Sequence, residues 1–171
     1  ETWFNSANVD CYNIEGYNHI YQYRTGKRGG GISLFLEEDK PYKLCENLSE
    51  QNSLYESLYI EIDKEIFQSS HNIIFGVIYR VPGTDIATFN DYIKTTLDNI
   101  KKEGKIAYIM GDININLLNS STHAHTGDFV DTLFSRSFVP LITRPTRVTQ
   151  NTATLIDNII TNNILENNCY K

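Results

Sequence analysis

Apolar and polar positions follow two rhythms along this chain. SLYIEI (57–62) alternates, placing Leu58, Ile60 and Ile62 on one face of a strand and Tyr59 and Glu61 on the other. GISLFL (31–36), behind three consecutive glycines, reads as a second strand. NIIFGVIYR (72–80) and IAYIM (106–110) are near-continuous apolar runs, as expected of strands covered on both faces. TLIDNII (154–160) is a similar run, interrupted by Asp157 and Asn158. Elsewhere the spacing turns to three and four. Behind Thr84-Asp85, a predicted N-cap, come Ile86, Phe89, Ile93, Leu97 and Ile100, with Gly104 as the stop after Lys101 and Lys102. A shorter helix is predicted where Phe129, Val130, Leu133 and Phe134 share a face ahead of Arg136. Strand follows strand in the first half, and strands alternate with helices in the second. That order predicts a layered α/β sandwich with mixed β-sheets flanked by helices.

With 171 residues, no internal repeat and no low-complexity linker, the chain is expected to form one domain over residues 1–171, with a ragged Asn-rich tail, NNILENNCYK. A hydrophobic share of 40% places it among globular proteins, and no apolar run approaches the ~18–20 residues of a spanning helix. The opening ETWFNSANVD lacks the layout of a signal peptide. Cys11, Cys45 and Cys169 are odd in number and widely spaced, which favours a reducing compartment over a disulfide framework. The chain opens on Glu1 and its one methionine is Met110, so it is expected to be a piece of something longer.

The net charge of −6 argues against a general electrostatic grip on nucleic acid. A cleft that holds phosphate through a divalent metal can still sit on an acidic protein, because the ion brings its own charge.

Candidate chemistry gathers where apolar runs end. In YIMGDININLL (108–118) the strand is expected to run out at Gly111. Asp112, Asn114 and Asn116 would then point one way while Ile113 and Ile115 point into the core. A carboxylate there can deprotonate a water, and an amide two residues on can hold a phosphate oxygen. Asp and Asn are also ordinary turn formers, and spacing alone favours that plainer reading. Asp157 has the same two readings: a functional carboxylate, or an Asp bonded to a neighbouring loop. Tyr79 and Arg80 offer a phenol and a guanidinium at the end of another run, although a lone surface Arg is usually just solvated. KRGGG (27–31) lacks the ending of a phosphate-binding loop and opens a strand, not a helix. His123 and His125 read as a solvent-exposed pair in a polar loop.

Seven segments in order carry more weight than any one of them: ETW (1–3), GGGISLFL (29–36), ESLYIEI (56–62), GVIYRVP (76–82), GDININLL (111–118), PLITRPTRVT (140–149) and ATLIDNIITN (153–162). In that order and spacing the chain resembles the endonuclease/exonuclease/phosphatase superfamily, and most of all the endonuclease domain that precedes the reverse transcriptase of non-LTR retrotransposons. The resemblance implies a Mg²⁺- or Mn²⁺-dependent phosphodiester hydrolase acting on DNA. It implies Glu1 as metal ligand, Tyr79 near the scissile phosphate, Asp112 on the attacking water, Asn114 on the phosphate and Asp157 in the cleft. It also suggests Arg80 and Thr149 as phosphate or DNA contacts. A reverse transcriptase domain in the full-length protein, action in the nucleus and no membrane association follow as expectations. The family's strand before E-T-W and its closing Ser-Asp-His strand have no match here, so an incomplete domain, truncated at both ends, is expected. Two alternatives accompany this reading: a catalytically inactive relic, or a phosphoesterase of the same superfamily with another substrate.

Overall fold

The computed structural model describes residues 1–25 and 29–164. Strands β1 (Tyr17–Gln22) and β2 (Ile32–Glu37) pair antiparallel as a separate two-stranded ribbon. After the short β3 (Lys43–Leu44) and β4 (Glu50–Gln51), both antiparallel to the next strand, come β5 (Tyr55–Ile62) and β6 (Ile73–Arg80). Helix α1 (Ile86–Lys102) then crosses to β7 (Ile106–Asp112), and α2 (Ala124–Ser135) leads to β8 (Val139–Pro140). A small hairpin, β9 (Arg147–Val148) and β10 (Ala153–Thr154), precedes β11 (Asp157–Thr161).

The main sheet runs β3-β5-β6-β7-β11-β8, with β4 beside β5. It is mixed: β6 and β7 are parallel, while β5–β6 and β7–β11 are antiparallel. A parallel pair needs a long crossover, and α1 supplies it.

Both faces of this sheet are covered, hence the near-continuous apolar runs. On one side Tyr59, Ile74, Ile78 and Ile109 join Phe89, Ile93, Leu97 and Ile100 of α1 and Phe129 and Leu133 of α2. On the other, Leu58, Ile60, Ile62 and Tyr79 pack against Ile20 and Ile32 of the ribbon. The predicted layered α/β sandwich is therefore observed. Helix α1 has the expected cap, with Asp85 accepting from the Thr88 backbone N–H at 2.7 Å.

Tyr59 lies on the face of β5 opposite Leu58, Ile60 and Ile62, as expected, and is fully buried there against the helices. Three details differ from the periodicity reading. Phe134 is 54% exposed, since α2 packs through Phe129 and Leu133. Helix α2 begins at Ala124, so His125 lies inside it and His123 is its N-cap; both remain exposed. Asp157 does not interrupt a strand but opens one, because Leu155 and Ile156 lie between β10 and β11. Cys11 and Cys45 are free thiols, whereas Cys169 and most of the predicted ragged tail lie outside the described residues. Among the described residues no helix is long and apolar enough to cross a membrane.

Candidate active site

One transverse row of the main sheet collects most of the chemistry. Glu56 on β5 is the register partner of Tyr79 on β6, Tyr79 of Asp112 on β7, and Asp112 of Asp157 on β11. Directly opposed residues point to the same face, so a carboxylate, a phenol and two further carboxylates stand side by side. The row lies at the carboxyl end of the parallel β6–β7 pair, the edge where open α/β sheets take ligands.

Gly111 makes this alignment possible. A Cβ at Gly111, whose φ is +147°, would stand 1.8 Å from the Ile78 carbonyl oxygen. Only glycine lets β7 approach β6 this closely at that point. The strand does not run out here, as expected from the sequence, but continues through Asp112. Beyond it the chain turns through Asn114 at φ 49°, a left-handed conformation that Asn tolerates. The Asn114 backbone N–H donates to Asp112 Oδ1 at 3.0 Å, and Ile113 and Ile115 are 3% and 1% exposed. The alternation in DININ thus anchors the loop, as expected. Asn116 departs from it, because its Oδ1 accepts from the Leu155 N–H at 2.9 Å and ties the loop to the segment before β11.

Arg80 differs from expectation most. Its guanidinium is buried and donates to the carbonyls of Ile113, Thr84 and Asn114 at 2.8, 2.6 and 2.7 Å, and to Thr84 Oγ1 at 3.0 Å. The Asn114 amide donates back to the Arg80 carbonyl at 2.7 Å. Arg80 is therefore the latch that holds the Asn114 turn, and its donors are engaged by the protein, not open to a phosphate.

Glu1 and Glu56 are held by the glycine run. The Gly30 N–H donates to Glu1 Oε1 at 2.7 Å, and the Gly31 N–H to Glu56 Oε2 at 2.6 Å. Gly29, Gly30 and Gly31 all have φ between 81° and 86°, and a Cβ at Gly30 would meet Glu56 Oε1 at 2.6 Å. Successive N–H groups in such a turn form a nest for anions. The nest holds the protein's own carboxylates, which explains why a glycine run without a phosphate-loop ending sits here.

The electrostatics follow from burial. Desolvation, then the Glu1 carboxylate that bonds it and the charge of Asp112, push the Tyr79 phenol up to about 12. Tyr79 is thus a neutral hydrogen-bond donor over any working pH. Burial, with the Asp157 charge adding to it, also raises Asp112, and the Asn114 N–H pulls the other way. A carboxylate held above its usual range is a better proton acceptor. Thr149 lies exposed at the tip of the β9–β10 hairpin, hydroxyl to hydroxyl with Thr152 at 2.7 Å. The same hairpin reaches the row, since Thr146 Oγ1 accepts from the Asp157 N–H at 3.2 Å.

Among the described residues no three His, Cys, Asp or Glu converge tightly enough to cage a metal unaided. Mg²⁺ does not require that, since it keeps several waters and binds through one or two carboxylates plus substrate phosphate. The exposed, oxygen-only Glu1 carboxylate, beside Tyr79, fits such an ion.

Sequence spacing missed Glu56 and Arg24. Arg24 Nε forms an ion pair with the fully buried Glu56, and its guanidinium stands 5.9 Å over the Tyr79 ring. The signal was present: Glu56 falls on the same face as Leu58, Ile60 and Ile62, where a lone charge needs a partner.

No family model and no curated protein matches the sequence. Solved structures do. The endonuclease domain of TRAS1, a telomere-specific non-LTR retrotransposon, superposes with TM-score 0.63 at 15% identity over 86% of this chain and 67% of that one. The Xenopus laevis APE2 catalytic domain gives 0.57 at 16% over 88% and 68%. An endonuclease/exonuclease/phosphatase family protein from Bacteroides thetaiotaomicron gives 0.56 at 16% over 87% and 60%. The chain thus spans between 60% and 68% of those structures' own lengths. With a mixed sheet, two flanking helices and these superpositions, the chain has the endonuclease/exonuclease/phosphatase fold.

Proposed function

We propose that this chain is a divalent-metal-dependent phosphodiesterase that nicks DNA, as the endonuclease part of a non-LTR retrotransposon protein. The observation that carries the reading is the register Tyr79–Asp112–Asp157 at the carboxyl edge of β6 and β7, with Asn114 latched beside it. Asp112 takes a proton from the attacking water as that water's oxygen bonds to phosphorus and the bond to the leaving oxygen breaks. Asn114, through the amide N–H not given to the Arg80 carbonyl, donates to a phosphate oxygen as charge builds there, and the neutral Tyr79 holds the Glu1 carboxylate beside the scissile phosphate through its O–H. Asp157 keeps the proton affinity of Asp112 high and orients the water. Mg²⁺ or Mn²⁺, bound through Glu1, would offset negative charge on the phosphate. Thr149, on the hairpin next to Asp157, reaches the substrate backbone. DNA is the favoured substrate because the TRAS1 domain is the endonuclease domain of a retrotransposon, and the reverse transcriptase domain expected from the sequence resemblance belongs to the same proposal.

Incubation with supercoiled plasmid and Mg²⁺ or Mn²⁺, alongside p-nitrophenyl phosphate and inositol phosphates, tests this. Metal-dependent relaxation to the nicked circle is expected. Turnover of the small phosphoesters alone would replace the substrate class, and turnover of neither would overturn the hydrolytic reading.

A further inference from the structure

The row of side chains does not stop at Glu56. Gln51 on β4 is the register partner of Glu56, so Gln51, Glu56, Tyr79, Asp112 and Asp157 run across five strands. At the Gln51 end lies a surface cavity of about 240 Å³ lined by Arg24, Thr25, Gln51, Asn52 and Ser53. Its described lining holds a cation and four uncharged polar side chains, and no carboxylate. Arg24 itself is half engaged. Its Nε is paired with Glu56, whereas Nη2 is buried without a hydrogen-bond partner among the described residues. Its side chain is only 11% exposed, so that orphaned donor is costly unless a ligand completes it. Glu56 fixes the guanidinium in place, and the Tyr79 ring supports it from below.

We propose that Arg24 and this cavity form a subsite for a phosphate of the substrate chain flanking the one that is cleaved. This rests on the phosphodiesterase reading and sharpens it toward a polynucleotide. Two strand spacings, ~10 Å, separate Asp112 from Glu56, the partner of Arg24, and a third reaches the cavity at Gln51, a span of a few nucleotides along the strand at ~3.4 Å each. Charge balance points the same way. The row carries three carboxylates, the chain is at −6, and Arg80 is engaged by backbone, so a polyanion needs another cation at this edge. Arg24 supplies it, with hydroxyl donors from Thr25 and Ser53 beside it.

The test compares two substrates and one binding measurement on the 171-residue chain. For Arg24→Ala, loss of the Glu56 partner lowers turnover of both substrates, and KM for nicking an oligonucleotide duplex should rise roughly tenfold more than KM for bis(p-nitrophenyl) phosphate, which has no flanking phosphate. In a salt titration of duplex binding by fluorescence anisotropy, without metal, the slope should fall by about 1. Arg24→Lys should keep the slope. Ser53→Asp, which leaves the Glu56 pair intact, should raise KM in the same direction. Equal changes in KM for both substrates, or an unchanged slope in Arg24→Ala together with an unchanged KM in Ser53→Asp, would overturn the subsite. A reduced slope in a chain that hydrolyses neither substrate would uphold the subsite while the phosphodiesterase reading fails.

Discussion

Asp112 and Asp157 face each other directly across the antiparallel β7–β11 pair. Like charges so placed repel and weaken a sheet, and here burial adds to the repulsion on Asp112. A chain selected for stability alone would not keep this pair; a site that needs a proton acceptor would.

The pair gives the activity a predictable acid limb. Burial and Asp157 raise Asp112, so activity should fall, on acidification, at a pH above the usual aspartate range. Removing the neighbouring charge in Asp157→Asn should move that limb to lower pH. A pH profile of kcat/KM for both proteins measures the shift, and a limb that stays in place would assign the titration to another group.

The same pair should limit stability. Because the folded state raises Asp112, ionising it costs folding energy. That cost is absent below the unfolded aspartate pKa, ~4, and complete above the folded value. Asp112→Asn should therefore raise Tm at neutral pH and lose its advantage near pH ~3. Thermal melts at the two pH values check this, and an equal change at both would remove the electrostatic explanation.

Gly111 should tolerate no side chain. The contact its Cβ would make is with Ile78 backbone, which has no rotamer to yield. Gly111→Ala is expected to cost at least about 3 kcal/mol by denaturant unfolding. A variant within ~0.5 kcal/mol of the parent would show that β6 and β7 can separate there.

Most of the fold was legible in the sequence, because β5, β6, β7 and α1 carry clear periods and α1 a clear cap. β1 was not read, because in Tyr17-Asn18-His19-Ile20-Tyr21-Gln22 the outward face is aromatic, with His19 stacked on Phe35 at 4.4 Å, and the inward face carries Asn18 and Gln22 beside Ile20, so no apolar alternation marks the strand. At the site, spacing singles out Asp112 and Asn114 but favours an ordinary turn, Tyr79 stands at the end of an apolar run and Asp157 inside one, so their roles come from the resemblance to the superfamily and not from periodicity. The role of Arg80 could not be read, since only the fold shows that three carbonyls converge on it. Glu56 and Arg24 lie 32 positions apart in sequence, and nothing local couples them.

Arg80 separates a latch from a phosphate contact. Arg80→Ala strips donors from three carbonyls and should cost on the order of 3 kcal/mol of stability. The salt slope of DNA binding, measured below the melting temperature, should stay unchanged. A fall of about 1 in that slope would restore Arg80 as a phosphate ligand.

The central claim is that Asp112 removes the proton from the attacking water, and the rate of plasmid nicking in Asp112→Ala tests it most directly. With saturating Mg²⁺, and with the variant shown to be folded and to bind duplex as the parent does, the account predicts a loss of about 10²- to 10⁴-fold in kcat. Nicking at the parental rate in Asp112→Ala would contradict it.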